Sequence, residues 1–286
     1  MDFIQATLGW DRAAPAEIPQ LDTCRALALS GGANNGAWEV GVLWSFIKEG
    51  NPEDFQYDVV SGVSVGSING LHVAAYPKGE ENQMIDDGVG LWNNMTTADV
   101  YKNWLLSPAA GLLTQQGFLN NDPLYRYLKN MTKDWTQLYR RLTISALNIE
   151  TGIVEFFNED TIDFKDWHHA VFSSTCIPGA FPPHEWRFNG QRSKFSDNYM
   201  LGNANPQSAI NDCLKYVDDP SKITLDVLLL GQMPEFETFS ADDDLDYAAL
   251  GYFMRARDIS YQYSNSNALT EVIRANPKVN WRYILQ

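Results

Sequence analysis

Ser64 lies at the centre of Gly62-Val-Ser-Val-Gly66, between the apolar run Val59-Val60 and the apolar positions Ile68 and Leu71. The order reads as a short buried strand, a tight turn and the first turns of a helix. A serine on such a turn projects its hydroxyl from the end of a sheet. The flanking glycines leave room for the turn, and the helix offers free N–H groups to any negative charge formed at the serine. The corresponding chemistry is nucleophilic attack on a carbonyl carbon, which requires a base and donors for the oxyanion. The plainer reading is a strand–helix turn with a solvated hydroxyl, and five residues alone do not decide between the two.

The donors have a candidate in Gly31-Gly32-Ala33-Asn34-Asn35-Gly36, which joins the apolar run Arg25–Leu29 to a segment with apolar residues at helical spacing, Val40, Leu43, Trp44 and Ile47. If the two strands are adjacent and parallel, this loop opens on the same edge as Ser64. Its N–H groups then form an anion cradle. A plain helix-capping loop is the alternative. A nucleotide-phosphate loop lacks the Lys-Ser/Thr ending and an acid at the second strand end.

For the base there are four histidines, His72, His168, His169 and His184. A Ser–His–Asp hydrolase of the α/β-hydrolase order needs its histidine last. His72 falls two turns into the helix behind Ser64, and His184 is the one histidine retained as a candidate. A carboxylate acting directly on the serine fits better. Asp197 follows Ser193–Ser196 at a predicted strand end, from which it can take the Ser64 proton. Its plainer reading is a turn or cap residue.

The elements that must position these groups alternate. Strand, glycine-rich loop, helix and strand make a βαβ unit and hence parallel strands. The Ser64 helix is expected to run to about Tyr76, and a second helix spans 81–95. Asn121-Asp122-Pro123 signals a helix start. Leu142–Ile149 and Ile153–Phe157 predict a hairpin around Thr151-Gly152, and Trp186–Phe188 with Ser193–Phe195 another around Asn189-Gly190. Helices are expected over Asp166–Ser174, Ala209–Tyr216 and Leu245–Tyr263, and strands over Thr224–Leu230 and Trp281–Leu285. The expected fold is α/β: a three-layer sandwich with a mainly parallel central sheet and helices on both faces. Residues 1–24 read as an irregular segment and 25–286 as a single domain.

Composition bounds the function. The 286 residues are 44% hydrophobic and 20% charged, with net charge −15, so a sizeable core is expected and no basic stripe for nucleic acid is present. Acidity works against simple electrostatic docking on anionic lipid but leaves a local apolar docking face open. Cys24, Cys176 and Cys213 are far apart and read as buried structural thiols. No signal peptide and no run of about 20 apolar residues is visible, which predicts a cytoplasmic or peripheral-membrane location. The acidic run Asp242–Asp244 with Asp246 lacks the glycine and terminal glutamate of a calcium loop and reads as a solvated helix start.

Taken together, these residues resemble the patatin-like phospholipases, serine lipid acyl hydrolases with a Ser–Asp dyad. Leu29-Ser-Gly-Gly-Ala-Asn-Asn-Gly36 is similar to the family's oxyanion loop, Gly62–Gly66 to its nucleophile turn and Phe195-Ser-Asp-Asn198 to its aspartate segment. Ser173–Pro183 resembles the segment preceding the aspartate strand. The resemblance covers roughly residues 25–230. It implies Ser64 as nucleophile, Asp197 as base, the N–H groups of Gly31, Gly32, Ala33 and Asn34 as oxyanion donors, no metal or organic cofactor, and an acyl-lipid substrate with peripheral membrane contact. Segments 101–118 and 176–183 are the expected acyl-chain contacts. The departures are Ala33 for the usual third glycine, Asn35 for a frequent arginine, and Asn198-Tyr199 for glycines. Two other classes stay open: an esterase or thioesterase on small soluble substrates, and a non-catalytic lipid- or protein-binding relative.

Overall fold

The computed structural model describes residues 19–104, 116–230 and 249–286. Among them, strand β1 (Cys24–Leu29) is buried on both faces, as its continuous apolar sequence requires. It pairs in parallel with β2 (Val59–Gly62) on one side and β7 (Ile223–Leu228) on the other. β2 continues in parallel to β3 (Arg141–Asn148) and β7 to β8 (Asn280–Leu285). Beyond β3 the sheet turns antiparallel through β4 (Ile153–Phe157), β5 (His184–Phe188) and β6 (Gln191–Ser196), giving the order β5-β6-β3-β2-β1-β7-β8 with β4 also on β3. The sheet is therefore mixed, a parallel core extended by two hairpins. The Asn189-Gly190 turn takes left-handed backbone at both residues (φ 49° and 78°), the geometry of a two-residue hairpin loop.

Helices cover both faces. On one, α1 (Gly36–Lys48), α2 (Val65–Ala74), α3 (Glu81–Asn94), a short α4 (Thr97–Val100), α5 (Asp122–Thr132) and α6 (Trp167–Thr175) accompany the larger core, which includes Leu27, Leu29, Leu43, Leu71 and Ile144. On the other, α7 (Pro206–Cys213) and α8 (Ala249–Ala275) accompany a second core of Ala26, Ala28, Ile210, Leu225 and Val227. The alternation of β1 residues between the two cores follows from the two-residue period of a strand.

Three expectations are corrected. α7 starts at Pro206, capped by Asn205, rather than at Ala209. α8 runs past Tyr263 to Ala275 through the polar stretch Ser264–Asn267, where Asn265 takes a tertiary hydrogen bond from the Asn203 backbone. The three cysteines are not all thiols. Cys24 and Cys213 form a disulfide, with Cα atoms 5.7 Å apart across 189 positions of sequence, because α7 packs on β1; Cys176 alone is free and buried. The acidic run 242–246 and residues 105–115 of the expected acyl-contact stretch 101–118 lie outside the described residues.

Candidate active site

Register brings the chemistry to one edge. Gly62 pairs with Ile144, so extending β2 by two residues sets Ser64 level with Ala146. On the other side of β3, Ser196 pairs with Leu147, and one further residue sets Asp197 level with the same Ala146. A parallel and an antiparallel neighbour of one strand thus deliver a serine and an aspartate to the same height. Leu29 pairs with Gly62, which places the Gly31–Gly36 loop beside them.

Ser64 has φ 53°, the left-handed region that a non-glycine residue adopts only under constraint. Several contacts impose it. The Ser64 N–H donates to Ser174 Oγ at 2.8 Å. The Gly66 N–H donates to Ser30 O, and a Cβ at Gly66 would stand 2.6 Å from Leu29 O, so the turn needs glycine at its close. Gly31 approaches Ser64 itself: a Cβ there would meet Asn203 Oδ1 at 2.5 Å and Ser64 Cβ at 2.9 Å.

Asp197 is buried, and its backbone N–H donates to Cys176 O at 2.9 Å, fixing the end of β6 to the end of α6. Its Oδ1 accepts the Tyr199 N–H at 2.9 Å, while Oδ2 has no partner of full hydrogen-bond geometry. Burial pushes its pKa up from 3.8 to about 7; the Ser64 hydroxyl and the Tyr199 N–H oppose that rise by favouring the charged form. Such a carboxyl has the proton affinity of a base working near neutrality.

The loop donors are fewer than expected. The Gly31 N–H is engaged by Asn203 O at 3.0 Å and cannot serve an oxyanion without breaking that bond. Gly32, Ala33 and Asn34 have no backbone N–H partner among the described residues, nor has Val65, directly after Ser64. Ala33 sits at φ 50°, so the departure from glycine is strained and not silent. Asn198 needs no positive φ; its side chain accepts from Ser145 Oγ at 3.2 Å and donates to Gly202 O at 3.3 Å.

Behind the loop is a buried polar network. Glu39 accepts the Ser30 N–H at 2.9 Å and an Asn69 Nδ2–H at 2.8 Å; Asn69 also donates to Gly36 O and accepts the Trp92 indole N–H, both at 2.9 Å. Burial raises the Glu39 pKa to about 8, against these hydrogen bonds. Every Asn69 polar group is used, so the network ties the end of β1, the start of α1 and α2 into one unit. Glu39, Asn69, Ser174 and Asn203 carry no local sequence signal, since each role depends on at least one partner 30 or more positions away.

His184 is not brought to Ser64. It opens β5, its Nε2 lies 2.7 Å from His169 Nδ1, and burial followed by the neighbouring His169 lowers its pKa to about 3. His72 faces Met84 O at 2.7 Å. The predicted acyl-contact segments do meet: the Phe118 and Leu119 N–H groups donate to Gly179 O and Ala180 O, and Tyr101 contacts the Phe181 ring. Among the described residues no three His, Cys, Asp or Glu side chains cluster as metal ligands, and no helix is long and apolar enough to cross a membrane.

The family model for patatin-like phospholipases matches residues 27–210. The chain belongs to the patatin-like phospholipase family. The match runs from β1 to α7 and contains Ser64, Asp197 and the Gly31–Gly36 loop. Among solved structures, this patatin-like chain is similar to VipD from Legionella pneumophila, with TM-score 0.40, 12% identity, and coverage of 73% of this chain and 50% of that one. It is also similar to the ExoU–SpcU complex from the type III secretion system of Pseudomonas aeruginosa, with TM-score 0.26, 15% identity, and coverage of 57% and 38%. The chain spans about half the length of the VipD chain. Comparison with curated proteins gives no match. The family is one of lipid acyl hydrolases, and its fold is a mixed sheet between helical layers.

Proposed function

We propose that this patatin-like chain is a lipid acyl hydrolase that cleaves fatty acyl esters through Ser64 and Asp197. The observation that carries the reading is the meeting of a serine at φ 53° with a buried carboxyl whose pKa burial raises to about 7. In this reading Asp197 takes the Ser64 proton as Oγ attacks the ester carbonyl carbon. The N–H groups of Gly32, Ala33, Asn34 and Val65 receive the oxyanion. Collapse of the tetrahedral intermediate expels the alcohol, which recovers the proton from Asp197. Water, deprotonated by the same carboxylate, then releases the fatty acid and restores Ser64. The substrate is a phospholipid or another acyl lipid, met at a membrane surface. The location that fits is cytoplasmic or peripheral to a membrane.

The test is labelling with a fluorophosphonate probe and peptide mapping, because such probes modify only an activated serine. The expected result is a covalent adduct on Ser64 that is lost in Asp197→Asn. A folded protein that gives no adduct on Ser64 overturns the assignment and leaves a lipid- or protein-binding relative.

A further inference from the structure

A cavity of about 420 Å3 lies outside the site described so far, between α8, the Gly202–Gln207 segment and the ends of β7 and β8. Its size falls within the range of small-ligand pockets. Its position is the C-terminal edge of the parallel strands, the edge that also carries Ser64. Leu229, Leu269, Val272, Ile273 and Ile284 line it from opposite sides. No lysine, arginine, histidine, aspartate or glutamate is among its lining residues.

Several polar residues in the wall are turned to the protein. Asn265 Oδ1 accepts the Asn203 N–H at 2.9 Å. Gln207 donates to Asn211 Oδ1 and accepts from Asn276, both at 2.8 Å, and the Thr270 hydroxyl donates to Ser266 O at 2.8 Å. Their hydrogen bonds are thus made elsewhere, and what they offer the cavity is largely their carbon stems. In the Gly202–Gln207 segment the Asn205 Nδ2 donor is buried without a partner, while the likewise unpartnered Asn203 Oδ1 acceptor lies against Gly31. This segment also touches the reactive edge. Asn203 exchanges two hydrogen bonds with Gly31, and Asn205 O accepts the Ser61 hydroxyl beneath the Ser64 turn.

We propose that this cavity binds one long fatty acyl chain, with its carboxyl or ester end toward the Asn205 amide, whose N–H groups can donate to it. A phosphate would require a cationic partner that the lining residues do not supply, whereas an ester or a single carboxyl end can be met by a neutral amide donor. An acyl chain requires an apolar channel and one polar end, which is the composition found. The proposal takes its ligand class from the acyl-hydrolase reading, but its test does not depend on turnover.

The probe is a sixteen-carbon fatty acid bearing a diazirine near its methyl end, bound to the Ser64→Ala protein, photolysed and mapped. Adducts are expected on α8 around Leu269 to Ile273 or on Leu229 and Ile284. Leu269→Trp and Ile273→Trp, each checked for a cooperative melt, should fill the cavity and weaken binding about ten-fold or more. Adducts confined to another surface, no saturable binding, or unchanged affinity in a folded filling variant each overturn the proposal. The source of the chain is read from wild-type and Leu269→Trp hydrolysis of esters of increasing length. Loss confined to long esters assigns the cavity to the chain being cleaved. An unchanged length profile with lost binding assigns it to a free fatty acid. If Ser64→Ala binds the probe while wild-type protein hydrolyses no ester, the cavity stands and the catalytic reading falls.

Discussion

Replacing Asp197 with asparagine should abolish ester hydrolysis and make the protein more stable at alkaline pH. Asp197 is 1% exposed, and burial lifts its pKa from 3.8 to about 7. Below pH 3.8 the carboxyl is protonated in both folded and unfolded chains and imposes no penalty. Between pH 3.8 and 7 only the unfolded chain ionises, so stability falls as pH rises. Above pH 7 both states are ionised and the loss is complete. A shift of this size corresponds to roughly 4 kcal/mol at pH 8, of which roughly a third is already lost at pH 5. Asparagine cannot ionise, can still accept the Tyr199 N–H through Oδ1, and puts its NH2 in the place of Oδ2. Asp197→Asn should therefore gain about 2 to 3 kcal/mol relative to wild type between pH 5 and pH 8. The assay is urea denaturation of both proteins at the two pH values, with ester hydrolysis measured in parallel. Wild-type kcat/KM should rise through a single ionisation near pH 7, since only the ionised carboxyl can take the serine proton. A stability difference that does not change with pH, or hydrolysis retained in the variant, refutes the reasoning.

Two further outcomes follow from backbone and covalent structure. Ala33→Gly should raise the melting temperature slightly, by up to about 1 kcal/mol of stability, because Ala33 holds φ 50°; kcat/KM should stay within a few-fold because the N–H donor is kept. A lowered melting temperature in that variant contradicts the left-handed backbone. Cys213→Ser, or reduction of the wild type, should destabilise by a few kcal/mol, against a chain-entropy ceiling of roughly 5 kcal/mol for so long a loop. Free thiols at both Cys24 and Cys213 by mass spectrometry, or equal melts with and without reductant, refute the bond.

The sequence is most legible where local pattern and tertiary role coincide. Gly62–Gly66 and Gly31–Gly36 could be placed on one edge because a βαβ unit leaves no other arrangement for adjacent parallel strands. Asn189-Gly190 announced its hairpin because two successive residues need left-handed backbone. The pairing of Cys24 with Cys213 was invisible because it depends on which helix packs against β1, a fact 189 positions removed from the first cysteine. The loss of Gly31 as a donor was equally hidden. It results from Asn203 O, on a loop whose course is fixed only once β6 has joined β3 in the antiparallel sense. α8 outruns the predicted end at Tyr263 through Ser264-Asn265-Ser266-Asn267, four poor helix formers among which Asn265 accepts the Asn203 N–H. Sequence periodicity reports local burial; it does not report a hydrogen bond whose partner lies on another element.

The disulfide closes a ring between residues 24 and 213, preceded by residues 1–23 and followed by a tail, residues 214–286. The ring, Cys24 to Cys213, encloses almost the same interval as the family match, residues 27–210, and holds both Ser64 and Asp197. The cavity's aliphatic walls from β7, α8 and β8 belong to the tail, and only the Gly202–Gln207 rim belongs to the ring. The proposed Ser64–Asp197 dyad and the aliphatic cavity wall therefore sit on opposite sides of the cross-link, one inside the ring and one in the tail. An exchange of the tail between relatives could redraw what the cavity accepts while the ring, and the chemistry within it, stays shut.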